Sequence, residues 1–126
     1  MNFIVDDDSA TRDSLRLLLG CAGLEAQHFP SAEAFLGSRQ CADRDCLVLD
    51  VHMRGMTGIE LLEQLRQRGD KVPVIIITGP TAANTPRART AGALAVLEKP
   101  LRPGEILGLV RQALKERPGP GSPSVP

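Results

Sequence analysis

The sequence predicts an α/β fold, in which helices cover both faces of a five-stranded parallel sheet. Four short apolar runs each end at a polar residue, which is typical of strands buried on both faces. Stretches with apolar residues at helical spacing separate these runs, and right-handed crossovers then make the strands parallel. With one further short strand, the predicted strands lie near Asn2–Val5, Glu25–His28, Leu47–Asp50, Val74–Ile77 and Leu94–Leu97.

Local signals in the sequence also predict five helices. Asp8 or Ser9 can cap the first helix, and Gly69 is a suitable stop for the third. The fourth helix is the weakest because it has no large apolar residue, and we expect the preceding segment Gly79–Pro86 to form a loop. The helices are predicted at about Ala10–Cys21, after Pro30–Ser31, before Gly69, at about Arg87–Ala91 and from Pro103 onward.

Five strands that alternate with five helices favour the flavodoxin-like, doubly wound sheet with strand order 2-1-3-4-5. In this order the first and third strands are neighbours at the switch point, where open α/β sheets bind ligands beyond the carboxyl ends of the strands. The first strand runs into Asp6-Asp7-Asp8, and the third ends at Asp50. We therefore expect the functional site at this edge of the sheet.

Length and composition indicate one globular domain. Of the 126 residues, 42% are hydrophobic, which is enough for one buried core. The 15 basic residues balance the 15 acidic ones, so the chain has no excess positive charge of the kind that would indicate binding to nucleic acid or membranes. We find no signal peptide and no apolar run of membrane-spanning length. Because the three cysteines form no disulfide framework, we expect a cytoplasmic protein with Cys21 and Cys46 buried. Residues 1–117 are predicted to form the domain, and residues 118–126 a Pro-, Gly- and Ser-rich linker or disordered tail.

The polar residues at the strand ends predict phosphoryl-transfer chemistry. Asp6, Asp7 and Asp50 should converge, and such a carboxylate cluster favours Mg²⁺, which takes oxygen ligands and bridges to phosphates. Asp50 can be the nucleophile, because a carboxylate can form an acyl phosphate. Thr78 can donate its hydroxyl to a phosphoryl oxygen, and Lys99 can supply a positive charge to another. Each residue alone is weak evidence, and their occurrence at one edge favours the functional interpretation.

These residues occur in motifs that make the chain resemble the receiver domains of response regulators in bacterial two-component signalling. The resemblance covers about Asn2–Glu116 and is greatest to the branch whose members often carry a C-terminal helix-turn-helix domain. It implies the CheY-like form of the flavodoxin-like fold. The motifs are IVDDD (Ile4–Asp8), LDVHMRGMTG (Leu49–Gly58), IITG (Ile76–Gly79), AGA (Ala91–Ala93) and EKP (Glu98–Pro100).

The resemblance implies a role for each polar residue at the predicted edge. Mg²⁺ would be bound directly by Asp7, Asp50 and the backbone carbonyl of His52. The peptide bond between Lys99 and Pro100 would be cis. Asp50 would be the phosphoacceptor. Asp6 and Asp7 would form the acidic pocket. Thr78 and Lys99 would be the phosphate-sensing pair.

The resemblance also implies a phosphorylation-controlled switch rather than an enzyme. The phosphoryl donor would be a phosphohistidine on a sensor histidine kinase, and phosphorylation could promote a homodimer. DNA would be contacted only through an output domain absent from this chain; a free-standing receiver and a phosphorylation-independent adaptor are the alternatives. An aspartyl-phosphate hydrolase is disfavoured, because such enzymes place a second Asp where this chain has His52.

The chain departs from the family pattern at three places. Arg54 stands where the family usually has proline, which predicts a less rigid loop after the acceptor. Val96 stands where a Tyr or Phe usually moves during switching, so its small side chain favours the adaptor alternative. The loop Pro80–Pro86 is slightly short. His52 and Pro80 occupy positions that tune dephosphorylation in the family, although we expect His52 to be an exposed loop residue.

Overall fold

The computed structural model describes residues 2–38, 46–79 and 85–115. Its strands are β1 (Asn2–Val5), β2 (Ala26–Phe29), β3 (Cys46–Asp50), β4 (Val74–Thr78) and β5 (Ala95–Glu98). They form one parallel sheet in the order β2-β1-β3-β4-β5, which confirms the predicted fold and strand order. The strands differ from the predicted ones by one residue at most at each end.

Five helices connect the strands: α1 (Ser9–Cys21), α2 (Ala32–Ser38), α3 (Gly58–Gln67), α4 (Thr85–Thr90) and α5 (Pro103–Lys115). Helix α4 begins before the predicted start, so Pro86 lies in its first turn, where the missing N–H of proline is not needed. The rest of the predicted loop (residues 80–84, which include Pro80) and the predicted tail (residues 118–126) lie outside the described residues. Within the described ranges, no helix is long and apolar enough to span a bilayer.

The sheet is covered by helices on both faces, as the buried central strands β1, β3 and β4 require. Helices α2, α3 and α4 pack on one face, and α1 and α5 pack on the other. Because side chains alternate along a strand, β3 sends Leu47 and Leu49 to the first face and Val48 to the second. This packing on both sides holds the ends of the central strands in fixed relative positions.

Helix α1 presents Leu15 and Leu19 to the core and its opposite side to solvent. Cys21 follows Leu19 by two residues, about 200° around the helix, and is exposed. The expectation that Cys21 is buried is therefore wrong, whereas Cys46 of β3 is buried as expected. Leu17 lies on the same outward side as Cys21, and 70% of its surface is exposed.

The start of α1 is fixed by Asp8, in agreement with the predicted cap. The Asp8 carboxylate accepts hydrogen bonds from the backbone N–H of Ala10 (3.2 Å) and from the hydroxyl of Thr11 (2.8 Å). These two hydrogen bonds lower the pKa of Asp8 below its usual value, and the bond from Thr11 has the larger effect. Asp8 therefore caps the helix, whereas the side chains of Asp6 and Asp7 are available to the candidate site.

The register of the sheet brings the predicted site residues to one edge. The pairing of β1 with β3 joins the residues immediately before Asp6 and Asp50, so the two carboxyl groups follow neighbouring strands. The pairing of β4 with β5 joins Thr78 to the residue before Lys99. Four side chains therefore lie at the carboxyl ends of adjacent strands, three of them central and one the edge strand β5. They are Asp6 (β1), Asp50 (β3), Thr78 (β4) and Lys99 (β5).

Candidate functional site

Three carboxylates meet at the carboxyl edge of the sheet, as the sequence predicts. One carboxylate oxygen from each of Asp6, Asp7 and Asp50 lies within 4.8 Å of the other two. Asp6 and Asp50 are buried, with 1% and 3% of their surface exposed, whereas Asp7 is exposed to solvent. An all-oxygen group with one solvent-facing member suits a hard cation that keeps part of its hydration shell, such as Mg²⁺.

The carboxyl group of Asp6 is costly to ionise in this surrounding. Burial is the main cause that raises the pKa of Asp6 from 3.8 to about 6, and the negative charge of Asp50 adds to it. A hydrogen bond from the backbone N–H of Asp8 to Asp6 Oδ1 (2.9 Å) opposes this shift. The other oxygen, Oδ2, is buried and has no hydrogen-bond partner among the residues that the structure describes. A cation bound there would offset the cost of ionisation, so these residues fit a metal ion.

Asp50 makes a separate contact through each of its carboxylate oxygens. The backbone N–H of His52 donates to Oδ1 (3.0 Å), and the Lys99 ammonium nitrogen lies 3.2 Å from Oδ2. The side chain of Asp50 is 4% exposed, whereas that of Lys99 is 35% exposed. Lys99 therefore brings a partly solvated positive charge to a buried carboxylate. The peptide bond between Lys99 and Pro100 is cis, which confirms the expectation from the resemblance.

Thr78 ends β4 with a buried hydroxyl group. Its Oγ1 atom has no hydrogen-bond partner within the described part of the chain. Its backbone carbonyl accepts a hydrogen bond from the N–H of Lys99 (2.9 Å), which joins the ends of β4 and β5 directly. A buried hydroxyl without a partner destabilises a fold, and such groups are found at sites where a ligand completes the hydrogen bonds.

The loop between β3 and α3 is tied to two acidic side chains from other parts of the fold. The backbone N–H of Arg54 donates to Asp7 Oδ2 (3.2 Å). Two residues later, the backbone N–H of Met56 donates to Glu33 Oε2 (3.2 Å) from α2. These contacts hold the loop that follows β3 against both the acidic cluster (Asp6, Asp7 and Asp50) and the neighbouring helix α2.

Helix α3 begins in close contact with strand β3. Thr57 and Glu60 form a capping box, in which each side chain accepts from the other residue's backbone N–H. Gly58 follows Thr57, and a Cβ atom at Gly58 would overlap the backbone oxygen of Asp50. The absence of a side chain at this position lets the helix start directly against the carbonyl group of Asp50.

Two residues that position the site were not identified from the sequence, namely Arg12 and Glu33. The Arg12 guanidinium donates through Nη1 to the backbone carbonyl of Asp6 (2.7 Å) and through Nε to His28 Nδ1 (3.0 Å). These contacts depend on how α1 and α2 pack on the sheet, so no local pattern predicts them. The capping box at Thr57 is different, because its Thr-x-x-Glu pattern is readable in the sequence.

The structural settings differ between His52 and the two departures from the family pattern at Arg54 and Val96. His52 is exposed in the loop after β3, as expected. Arg54 is also exposed, and its backbone N–H has the contact with Asp7 described above. Val96 is partly buried and packs against the apolar cluster under α2, α3 and α4. It lies on β5 opposite Ile76, two residues before the strand ends.

An apolar groove lies beside the site, between α1 and the start of α5. It is open to solvent and has a volume of about 620 Å³. Its wall includes Leu17, Leu18 and Leu101, and Lys99 extends from it to the carboxylate of Asp50. Exposed apolar surface of this kind is typical of sites where a protein partner or ligand docks.

Comparison with known proteins identifies the family. The family sequence model of the response regulator receiver domain matches residues 3–111. The response regulator protein TodT of Pseudomonas putida F1 is 38% identical over 120 residues, which are 92% of this chain and 52% of that protein. The transcriptional regulatory protein FixJ of Azorhizobium caulinodans is 42% identical over 115 residues, 88% of this chain and 53% of that protein. The chain thus spans about half the length of these relatives.

Solved structures agree with the sequence relatives. The crystal structure of FixJ-N has a TM-score of 0.87 and 32% identity, and the match covers 94% of this chain and 96% of that chain. The response regulator StyR has a TM-score of 0.82 and 40% identity, with 92% of this chain and 59% of that chain covered. By sequence and by fold, the chain belongs to the response regulator receiver domain family.

Proposed function

We propose that this receiver domain accepts a phosphoryl group on Asp50 from a phosphohistidine of a sensor histidine kinase, with Mg²⁺ as cofactor. The observation that carries the proposal is the surrounding of Asp50. Its buried carboxylate ends a central strand, next to two other carboxylates and 3.2 Å from the Lys99 ammonium. The domain would act as a switch and not as an enzyme that turns over a separate substrate.

In the proposed reaction, Asp50 is the nucleophile. A carboxylate oxygen attacks phosphorus, the P–N bond of the phosphohistidine breaks, and its electron pair stays on the histidine nitrogen. The product on this chain is an acyl phosphate. Bound Mg²⁺ supplies positive charge that offsets the repulsion between carboxylates and phosphoryl oxygens. Asp6, Asp7, Asp50 and the backbone carbonyl of His52 would hold the ion.

Lys99 and Thr78 would bind the oxygens of the new phosphoryl group. The Lys99 ammonium already contacts the Asp50 carboxylate, so only a small movement would bring it to an oxygen of a phosphoryl group on Asp50. The Thr78 hydroxyl is buried without a partner among the described residues and can donate to a phosphoryl oxygen. Movement of Thr78 would then alter the neighbouring surface formed by α4, β5 and α5, because two-state packing changes carry such signals.

We further propose that the kinase docks in the groove between α1 and α5. The groove offers exposed apolar side chains, with Leu17 at 70% exposure, and Lys99 links it to Asp50. A partner helix that covers Leu17 and Leu101 would therefore bring a phosphohistidine close to the acceptor carboxylate. Burial of this apolar surface would supply affinity, while the reacting groups supply chemistry.

The relatives support a proposal about the whole protein. TodT and FixJ, named as a response regulator and a transcriptional regulator, are each about twice as long as the matched segment. We propose that residues 1–117 form the receiver and that residues 118–126 link it to an output domain that controls transcription. DNA contact would then belong to that output domain, in a cytoplasmic protein. Phosphorylation would promote a homodimer.

Intact-mass spectrometry tests the phosphoacceptor proposal. The protein is incubated with Mg²⁺ and acetyl phosphate, alongside the Asp50→Asn variant and a sample with EDTA. One added phosphate is expected in the wild type with Mg²⁺, and none in the variant or with EDTA. If neither acetyl phosphate nor a panel of phosphorylated kinases adds a phosphate, the proposal is wrong.

A phosphorylation-independent adaptor is the second candidate function, and Val96 is the observation that favours it. Its short, branched side chain is partly buried against the core, and a β-branched side chain of this size has few alternative rotamers through which to signal. NMR spectra of the free and phosphorylated protein separate the two candidates. Shift changes that reach α4 and β5 would support the switch, whereas changes confined to the surroundings of Asp50 would support the adaptor.

A further inference from the structure

The loop after the acceptor strand contacts the acidic cluster through a main-chain hydrogen bond. The backbone N–H of Arg54 lies 3.2 Å from Asp7 Oδ2, although the two residues are 47 positions apart in the chain. Asp7 belongs to the loop between β1 and α1, and Arg54 belongs to the loop between β3 and α3. The bond therefore joins two separate loops that both contribute to the site.

This hydrogen bond depends on the residue type at position 54. The family that the chain resembles usually has proline there, and proline has no N–H to donate. Any other residue restores the donor, because the contact uses the backbone and not the side chain. The departure at Arg54 thus creates a contact that the usual family residue is unable to make.

The Arg54 N–H is placed to orient the Asp7 carboxylate. A carboxylate can accept a hydrogen bond with one oxygen while its other oxygen binds a cation. Asp7 is exposed, so its side chain has few packing contacts that would otherwise restrict its orientation. The same loop is also anchored two residues later, where the N–H of Met56 donates to Glu33 (3.2 Å). Arg54 therefore offers Asp7 a donor on a loop that is itself held in place.

We propose that the backbone amide of Arg54 is a positioning group that orients Asp7 for binding of a divalent cation. The proposal rests on the proposed function, in which Asp7 is a metal ligand. The bond also links Asp7 to the loop that carries the backbone carbonyl of His52, the other solvent-facing ligand in that proposal. Loss of the bond would let the two ligands move independently and would weaken cation binding.

Two variants at the same position separate the backbone from the side chain. Arg54→Pro removes the N–H, and Arg54→Ala keeps it while removing the side chain and its charge. Titration calorimetry with MgCl₂ measures the affinity, since the chain has no Trp or Tyr to report binding by fluorescence. We expect the Kd of the proline variant to rise about three- to tenfold, which is less than the roughly 10- to 100-fold typical of lost outer-shell contacts, because this contact is exposed.

The alanine variant is the matched control. Its Kd should stay within about twofold of the wild type, and on the tighter side, because a positive charge near the ion is removed. Equal affinities of the proline variant and the wild type would overturn the proposal. Equal weakening in both variants would overturn it too, since the side chain and not the amide would then be responsible.

Amide hydrogen exchange in the metal-free wild type tests the contact without relying on the proline variant. The Arg54 amide should exchange about tenfold more slowly than in Asp7→Ala, as expected for a hydrogen bond to a charged acceptor. Equal exchange rates would overturn the proposal. If the wild type has a protected amide but does not bind Mg²⁺, the proposed function fails, and the positioning role fails with it. If Mg²⁺ binds equally well to the wild type, Arg54→Pro and Arg54→Ala, only the positioning role fails.

Discussion

The closest fit in the site is between Gly58 and the main chain of Asp50, and a methyl group added at Gly58 tests it. A Cβ atom there would overlap the Asp50 backbone oxygen and lie 2.9 Å from the carbonyl carbon and 3.3 Å from Leu49 Cβ. Two of these three neighbours are backbone atoms of a central strand, so they have little freedom to move. Gly58→Ala should therefore force apart α3 and β3.

The cost of this substitution can be placed at the upper end of overpacking effects. Insertion of a methyl group into a well-packed region typically costs about 1–3 kcal/mol, and here backbone atoms must give way. We expect a loss of about 3 kcal/mol in the free energy of unfolding and a Tm lower by about 10–15 °C. The folded fraction should also accept phosphate more slowly, because the carbonyl group of Asp50 is displaced.

Gly108→Ala supplies the matched control, because the structure places no neighbour within 4 Å of a Cβ at Gly108 in α5. In that exposed helical position the same change should raise the free energy of unfolding by about 0.5–1 kcal/mol. Urea denaturation followed by far-UV circular dichroism measures both variants. If Gly58→Ala is as stable as the wild type while Gly108→Ala behaves as expected, the described contact between α3 and Asp50 is refuted.

Three further predictions concern the same edge of the sheet. In metal-free protein, the raised pKa of Asp6 (about 6, against 3.8) means that protonation favours the folded state, so stability should rise as the pH falls from 7 to 5. Urea titrations at pH 7 and pH 5 should show that the wild type gains roughly 1 kcal/mol more than Asp6→Asn over this range, and an equal gain in the two proteins would contradict the assignment. Thr78→Val removes a buried hydroxyl without a partner among the described residues and should stabilise the unphosphorylated protein by about 1 kcal/mol in thermal unfolding; destabilisation would contradict that description. Leu17→Glu should slow phosphotransfer from a kinase at least about tenfold while phosphorylation by acetyl phosphate stays unchanged, since only the kinase needs the apolar groove; equal slowing with both donors would contradict the docking proposal.

The sheet and the main site residues were predictable because they depend on local and periodic signals. Strands β3 and β4 are apolar up to a final polar residue, so both their burial and the edge that carries Asp50 follow from the sequence. The convergence of Asp6 with Asp50 then follows from the strand order, which the alternation of strands and helices indicates. Residue spacing is sufficient for such features, because parallel strands share one edge.

Features that depend on tertiary packing were not predictable in the same way. Cys21 was expected to be buried because of its residue type, but the side of α1 on which it lies faces solvent. The contacts of Arg12 with Asp6 and of Glu33 with Met56 join parts of the chain whose distance is set only by the folded sheet. The sequence predicts a loop up to Pro86, but α4 begins at Thr85, because proline suits the first turn of a helix as well as a loop.

The central claim is that Asp50 carries the phosphoryl group, and chemical trapping of the modified residue tests it most directly. After incubation with Mg²⁺ and acetyl phosphate, borohydride reduces an acyl phosphate, and peptide mass spectrometry locates the reduced residue. We predict homoserine in place of Asp50, with Asp6 and Asp7 unchanged. Reduction at Asp6 or Asp7, or at no aspartate of a protein that has gained one phosphate, would contradict the assignment of Asp50 as the acceptor.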